Sequence, residues 1–278
     1  MVTDQECTRF LQWCLPRLRM RWMGFRRVRK QVCKRLSRRI AELGLADLGA
    51  YRAFLESNET EWRALDAMCR ITISRFYRDR AVWDLLCGEA LPALAREAVA
   101  GSRAVVRCWS AGCGSGEEAF TLRIAWRLGV VPAVGADVPL SVVATDTNPA
   151  LFARARRGVY STGSLRFLPD QWVDRAFDET PDGYRIKEVF TQGIEFVEQD
   201  IRTAMPGGPF DLVFCRNLVF TYFDDALQME LLEKISSRLA AAGTLVVGAH
   251  ERLPGGAEEF ETLQGNQSIW RKRVGKDQ

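Results

Sequence analysis

From the N-terminus to about residue 80, apolar residues recur every three or four positions and strict two-residue alternation is absent, which predicts helices. Val28, Val32, Leu36, Ile40 and Leu43 fall on one face of such a helix, because 3.6 residues per turn brings positions i, i+4 and i+7 together. Gly44 is the expected stop. A second helix is expected from Asp47 to Leu55, packed through Leu48, Tyr51 and Leu55. These segments predict a helical domain over residues 1–80.

From about Arg103 the pattern changes to short apolar runs that end in loops and alternate with helical stretches. That pattern is how a mostly parallel sheet covered by helices is encoded. The expected strands are Ala104–Trp109, Ser141–Thr145, Ile194–Val197, Asp211–Cys215 and Thr244–Gly248, with a last one near Ser268–Arg273. Val131–Pro139 reads as a surface connection, and Pro181–Gly183 as a tight turn between two short strands. The expected fold class is α/β, with a Rossmann-like domain over residues 81–278.

Composition narrows this picture. A chain of 278 residues with 47% hydrophobic content can bury one large core and a smaller one. It has no run of about 20 apolar residues and no signal-type start, so a cytoplasmic protein without membrane insertion is expected. Eight dispersed cysteines, no CxxC pair and a single histidine predict reduced thiols and no metal site. A net charge of +4 is too small to point to nucleic acid. Its distribution says more, because Arg26, Arg27, Arg29, Lys30, Lys34, Arg35, Arg38 and Arg39 crowd one amphipathic helix without interleaved acids. Such a surface is either a solvated face or a docking surface.

The candidate chemistry lies at the ends of the expected strands. The first run leads into Ser110–Glu118, a glycine-rich turn into a helix. Glycines let backbone approach a ligand closely, and ligands of open α/β sheets bind beyond the carboxyl ends of the strands. No Lys-Ser/Thr follows the glycines, and Glu117 and Glu118 would repel a pyrophosphate at that helix start. S-adenosylmethionine suits the loop better, since it carries an ammonium and a sulfonium and no phosphate. Asp146 ends the second run, where a dinucleotide fold places its ribose-binding carboxylate; the alternative is a helix N-cap before Pro149. Asp200 follows the third run and could contact the adenine amine or serve only as a turn residue.

Together these segments resemble the chemotaxis-receptor methyltransferase (CheR) family of protein-glutamate O-methyltransferases, from about Trp22 to Arg273. Ser74-Arg-Phe-Tyr-Arg78-Asp79 resembles the family's Thr-x-Phe-Phe-Arg motif, and Trp109–Glu118 its Trp-Ser-Ala-Gly-Cys loop. Ala144–Asp146 with Arg157–Tyr160, Phe214–Asn217 with Tyr222-Phe-Asp, and Gly248–Glu251 follow in the family's order. The resemblance implies a class I methyltransferase sheet, an N-terminal all-helical domain and a small inserted antiparallel β-subdomain near residues 178–194. It implies catalytic roles for Arg78, Arg216 and Tyr222. It also implies a cofactor site drawn from Ser74, Arg78, Ala111, Gly112, Glu117 or Glu118, Asp146, Asp200, Ile201, Arg216 and Asn217. The implied acceptor is a glutamate on an acidic, chemoreceptor-like helix. An ionised glutamate, with a reference pKa of about 4.3, needs no general base.

Three features depart from the family pattern. Ser74 replaces threonine but keeps the hydroxyl. Four residues, Leu218–Thr221, separate Asn217 from Tyr222 where the family more often has three. The Thr180–Gly183 turn is short, which disfavours binding of a receptor's pentapeptide tether by strand addition. His250 is expected to be structural, hydrogen bonded to backbone. The competing readings are a small-molecule or non-receptor acceptor, a nucleic-acid acceptor and a non-catalytic cofactor-binding adaptor. The absent (Asp/Asn)-Pro-Pro-(Tyr/Phe) loop counts against nucleic acid, and the intact glycine, acid and arginine positions count against an adaptor.

Overall fold

The computed structural model describes residues 3–101 and 105–274. Ala104, the expected start of the first strand, lies outside the described residues. The chain clusters into two compact units, Met1–Thr72 with Thr221–Gln228, and Ile73–Phe220 with Met229–Gln278. Among the described residues no helix is long and apolar enough to cross a membrane.

The first unit is helical: α1 (Asp4–Cys14), α2 (Trp22–Phe25), α3 (Arg29–Glu42), α4 (Leu48–Ser57) and α5 (Glu59–Cys69). Local chemistry sets the ends. Thr3 and Glu6 form a capping box ahead of α1, Asp47 caps α4 through the Ala50 amide, and Gly44 leaves α3 at φ +66°. Val32, Leu36 and Ile40 of α3 are buried with Leu48, Tyr51 and Leu55 of α4. The segment 221–228 belongs to this unit because Arg21 donates to the Tyr222 carbonyl at 2.8 Å and Asp224 to the Arg19 carbonyl at 2.9 Å.

One expectation is overturned in this unit. Cys7 and Cys33 form a disulfide joining α1 to α3, so the eight thiols are not all reduced. Cys7 sits on the buried stripe of α1 and Cys33 follows the buried Val32 of α3. Spacing along the chain carries no information about that approach.

The basic helix divides its cations. Arg29 pairs with Asp4 at 2.8 Å, and Arg35 caps the end of α5 through the Met68 carbonyl at 2.8 Å. Arg39 forks onto Glu61 at 2.9 and 2.7 Å, and Tyr51 donates to the same carboxylate at 2.8 Å. Lys30, Lys34 and Arg38 remain exposed, as do Arg26 and Arg27, which lie in the turn before α3 and not on the expected helix. Val28 and Leu43 are the cap positions of that helix, and only Val32, Leu36 and Ile40 of its expected stripe are buried.

The second unit holds a seven-stranded sheet and a three-stranded one. Its strands are β1 (Val106–Ala111), β2 (Leu140–Asp146), β3 (Val159–Tyr160), β4 (Phe177–Thr180), β5 (Gly183–Ile186), β6 (Ile194–Glu198), β7 (Phe210–Phe214), β8 (Leu239–Val246), β9 (Phe260–Leu263) and β10 (Asn266–Lys272). The large sheet runs β6-β2-β1-β7-β8-β10-β9, and the small one β3-β5-β4. Neighbours from β6 to β8 are parallel, whereas β10 is antiparallel to β8 and β9. This is the expected Rossmann-like α/β arrangement with a small antiparallel insert. The sequence pattern shows neither β9 nor β3. Of β9 only Phe260 is buried, and β3 is two residues long, so neither leaves a readable alternation. The expected connection Val131–Pro139 contains a helical turn, Val131–Val134.

Glu61 is 5% exposed, and the Arg39 guanidinium holds its carboxyl below the usual carboxylate range. Arg39→Ala strands that carboxylate and is expected to cost about 2 kcal/mol of stability, the low side for a broken buried pair because Arg39 is partly exposed. A depressed pKa contributes stability above the unfolded value and loses it as pH falls through the folded one. The difference between wild type and variant in denaturant unfolding is therefore expected at pH 7 and is expected to shrink below about pH 4.

Candidate active site

The order of the large sheet reverses between β1 and β7, and crevices for ligands open beyond the strand ends at such a point. After β1 the chain turns through residues 112–116 into the helix Glu117–Ala125. The end of β2 pins this loop. Gly112 and Cys113 donate to the Thr145 carbonyl at 2.8 and 3.0 Å, and Gly114 donates to Asp146 Oδ2 at 3.0 Å. Gly114 has φ +59°, and a Cβ there would lie 3.2 Å from the Ser74 side chain, so only glycine suits both the bend and the contact. The N-cap of the helix Pro149–Arg157 is Asn148, not Asp146, leaving Asp146 to grip the glycine loop and the Asn148 amide.

The two adjacent glutamates have different surroundings. Glu118 accepts from Ser110 at 2.8 Å and from Arg216 at 3.1 Å, which engages both its oxygens. Glu117 is 2% exposed, stands 4.0 Å from Arg154, and its Oε2 is buried without a hydrogen-bond partner. Burial pushes its carboxyl above the usual range, opposed by hydrogen bonding from its own backbone amide, by the Arg154 charge and by the Ser74 hydroxyl and Ser115 backbone. A buried carboxylate oxygen without a donor, next to a glycine loop, fits an ammonium. The residues present therefore suit S-adenosylmethionine, which carries an ammonium, and of the two glutamates it is Glu117 that keeps a buried oxygen without a partner.

The segment Ser74–Asp79 is anchored by its aromatics. Phe76 is fully buried between Tyr160 at 4.8 Å and Phe177 at 5.2 Å, edge to face with both. Tyr77 stacks on Trp83 at 5.7 Å. Arg78 is half-buried, donates to the Ile73 carbonyl at 2.7 Å, and has no carboxylate partner among the described residues. Arg216, by contrast, is deeply engaged, donating to the Arg78 carbonyl at 2.6 Å, Asp79 at 2.8 Å and Glu118 at 3.1 Å.

Ser74, Arg78, Ala111, Gly112, Glu117, Glu118, Asp146, Asp200, Ile201, Arg216 and Asn217 all lie in the second unit. Asp200 is held by Arg202, the nearer guanidinium nitrogen at 2.7 Å, and Ile201 beside it is buried. Tyr222 lies in the helical unit, its ring 5.1 Å from that of Phe25. His250 is exposed and has no hydrogen bond among the described residues, so its expected structural bonding is corrected; it sits on a turn just past β8, beyond the pairing ladder. Sequence reasoning missed Asp79, although it directly follows Arg78, and Glu251, which accepts from the Asn217 amide at 2.8 Å.

Residues 72–269 match the family described as CheR methyltransferase, SAM binding domain. The chain is 30% identical to a probable chemotaxis protein methyltransferase of Rhizobium etli, covering 82% of this chain and 85% of that one. It is 31% identical to the chemotaxis protein methyltransferase of Escherichia coli, covering 85% and 81%. An uncharacterised 104.1 kDa protein of Rhodobacter capsulatus is 28% identical over 86% of this chain, which spans 25% of that protein's length. Among solved structures, SAM-bound CalS10, an amino pentose methyltransferase from Micromonospora echinaspora, matches at 20% identity and a TM-score of 0.31, covering 64% of this chain and 58% of that one.

With burial raising the Glu117 pKa, a bound ammonium must first displace the proton as pH falls. Cofactor affinity is expected to rise with pH through that raised value and then level off. Glu117→Gln is expected to flatten this dependence and weaken binding about 10- to 100-fold at pH 8, as the loss of a charge-assisted hydrogen bond implies. Calorimetric titration across pH 5 to about pH 8 reads both effects.

Proposed function

This chain belongs to the CheR methyltransferase family, and from that membership we propose that it methylates glutamate side chains of a chemoreceptor-like protein. It is an S-adenosylmethionine-dependent methyltransferase. The observation that carries the acceptor assignment is its alignment, over more than four-fifths of both chains, with relatives named chemotaxis protein methyltransferases.

The arrangement of side chains agrees with this chemistry. When bound, S-adenosylmethionine supplies an electrophilic methyl group on a sulfonium. Displacement by a glutamate oxygen needs no proton removed at neutral pH, so the protein's work is alignment and exclusion of water. Glu117 orients the amine and Asp146, at the tip of β2, takes the ribose. Asp200 and Ile201 border the adenine. Arg78, with no acid partner among the described residues, is available to a carboxylate of the cofactor or of the acceptor. Arg216 holds the loops around the site through Asp79 and Glu118, and Asn217 adjoins it at the methionine end.

The helical unit supplies the docking charge. Arg27, Lys30 and Lys34 are exposed and have no ion-pair partner among the described residues. Exposed cations at the start of α3, Lys30 and Lys34 on the helix and Arg27 in the turn before it, favour an acidic protein helix and speed encounter at low salt.

Transfer of radiolabelled methyl into extract proteins, followed by mild alkali, is expected to release the label as methanol from a carboxyl ester. Alkali-stable protein label would move the acceptor to nitrogen or carbon, and label confined to small molecules would support a small-molecule acceptor. Lys30→Glu with Lys34→Glu is expected to raise KM for the protein acceptor about tenfold at low salt, with cofactor affinity unchanged and the effect shrinking as salt is added.

A further inference from the structure

Two turns of the methyltransferase unit are tied to each other beyond the end of the sheet. The ladder between β7 and β8 is already paired through Phe214 and Val246, and it extends to Cys215, whose amide donates to the Val246 carbonyl at 2.9 Å. The sheet therefore needs no further tie there. Past it, Glu251 is 2% exposed, and its Oε2 accepts from the Gly248 amide at 2.6 Å and from the Asn217 amide at 2.8 Å. The first bond closes the carboxylate's own turn; the second reaches across to the turn that carries Arg216. Asp79 makes a parallel connection, accepting from Arg216 at 2.8 Å and from the Ala249 amide at 3.3 Å.

The turn held in this way has an unfavourable backbone. Asn217 has φ +56°, a region non-glycine residues seldom occupy unless their surroundings over-determine it. Gly248 provides the room. A Cβ there would lie 2.6 Å from Asn217 Nδ2 and 2.8 Å from Glu251 Oε2, so the amide and the carboxylate occupy the volume a side chain would fill.

We propose that Glu251 is a positioning residue for methyl transfer: it holds Asn217 in the left-handed conformation that sets its amide, and Arg216 beside it, at the methionine end of the cofactor site. This rests on the assignment of Arg216 and Asn217 to that site. Glu251 accepts the Asn217 and Gly248 amides, and it acts through the Asn217 backbone.

The test measures the Kd for S-adenosylhomocysteine by calorimetry, together with the melting temperature, in four variants. Glu251→Ala is expected to raise Kd about tenfold or more, as loss of a hydrogen bond to a charged group implies. Glu251→Gln keeps a carbonyl oxygen able to accept both amides and is expected to stay within about threefold of wild type. Gly248→Ala deletes nothing but drives the two side chains out of place, and it is expected to weaken binding as Glu251→Ala does. Phe260→Leu, on β9 at the far edge of the sheet, is the control for lost stability and is expected to leave Kd unchanged at a comparable drop in melting temperature. Wild-type Kd in both Glu251→Ala and Gly248→Ala overturns the proposal. So does an equal rise in Kd in Phe260→Leu, which would make the effect general destabilisation. Because the readout is binding, a wild type that binds S-adenosylhomocysteine but labels no carboxyl group sinks the proposed acceptor and leaves Glu251 under test.

Discussion

A guanidinium taken out of water is unfavourable by several kcal/mol unless charges and hydrogen-bond acceptors surround it, and the Arg216 side chain is 3% exposed. Its two terminal nitrogens donate to the Asp79 carboxylate, the Glu118 carboxylate and the Arg78 carbonyl, from segments separated by as many as 138 positions along the chain, while its Nε is buried without a partner among the described residues. Partnering the two terminal nitrogens of this one cation brings the Ser74–Asp79 segment, the start of the glycine-loop helix and the turn after β7 to a common point. An aromatic stack runs alongside, with Trp83 between Tyr77 at 5.7 Å and Phe214 at 5.3 Å and with the Arg216 guanidinium 5.8 Å from the Trp83 ring. The rest of the candidate site is arranged around that anchor.

The fate of the two glutamates follows from it. Neighbours on a helix point about 100° apart, so Glu118 cannot face Arg216 while Glu117 does the same. Glu117 is left against Arg154 at the limit of an ion pair, with one buried oxygen lacking a donor. A group in that state costs stability in the empty protein and gains most from a cationic ligand, which is how an otherwise unfavourable residue becomes a recognition element. Asp146 and Glu251 work differently, since both accept backbone amides and so shape the loops themselves.

The helical unit divides one run of basic residues between two tasks. Arg29, Arg35 and Arg39 point inward to Asp4, to the end of α5 and to Glu61, while Arg27, Lys30 and Lys34 stay in water. Arg35 and Arg39 stabilise the bundle through partly buried bonds, whereas the Arg29–Asp4 pair lies at the surface. The outward set contributes little to stability and lends the helix its electrostatic field. A disulfide fastens the same helix to α1, so the face that carries the charge is held by both covalent and ionic contacts.

Periodicity and contiguous motifs were sufficient for the helical start, most strands of the large sheet, the α/β class, the glycine loop and the acid at the tip of β2. Each is a local property: a helix stripe or a buried strand is legible within a dozen residues, and Ser110–Glu118 carries its own turn chemistry. The edge strand β9 escaped, because it buries one side chain and shows no alternation, whereas the opposite edge strand β6 was legible from its apolar run Ile194–Val197. Tertiary structure alone decided which glutamate is left without a donor, that Asp79 and Glu251 hold the turns, that Cys7 meets Cys33, and that Tyr222 packs on Phe25 in the helical unit. These outcomes depend on which residues far apart in sequence are brought within a few ångströms, and on which side of a helix or turn each one faces. A pattern read along one dimension contains neither quantity, whereas packing a buried cation among its acceptors settles both.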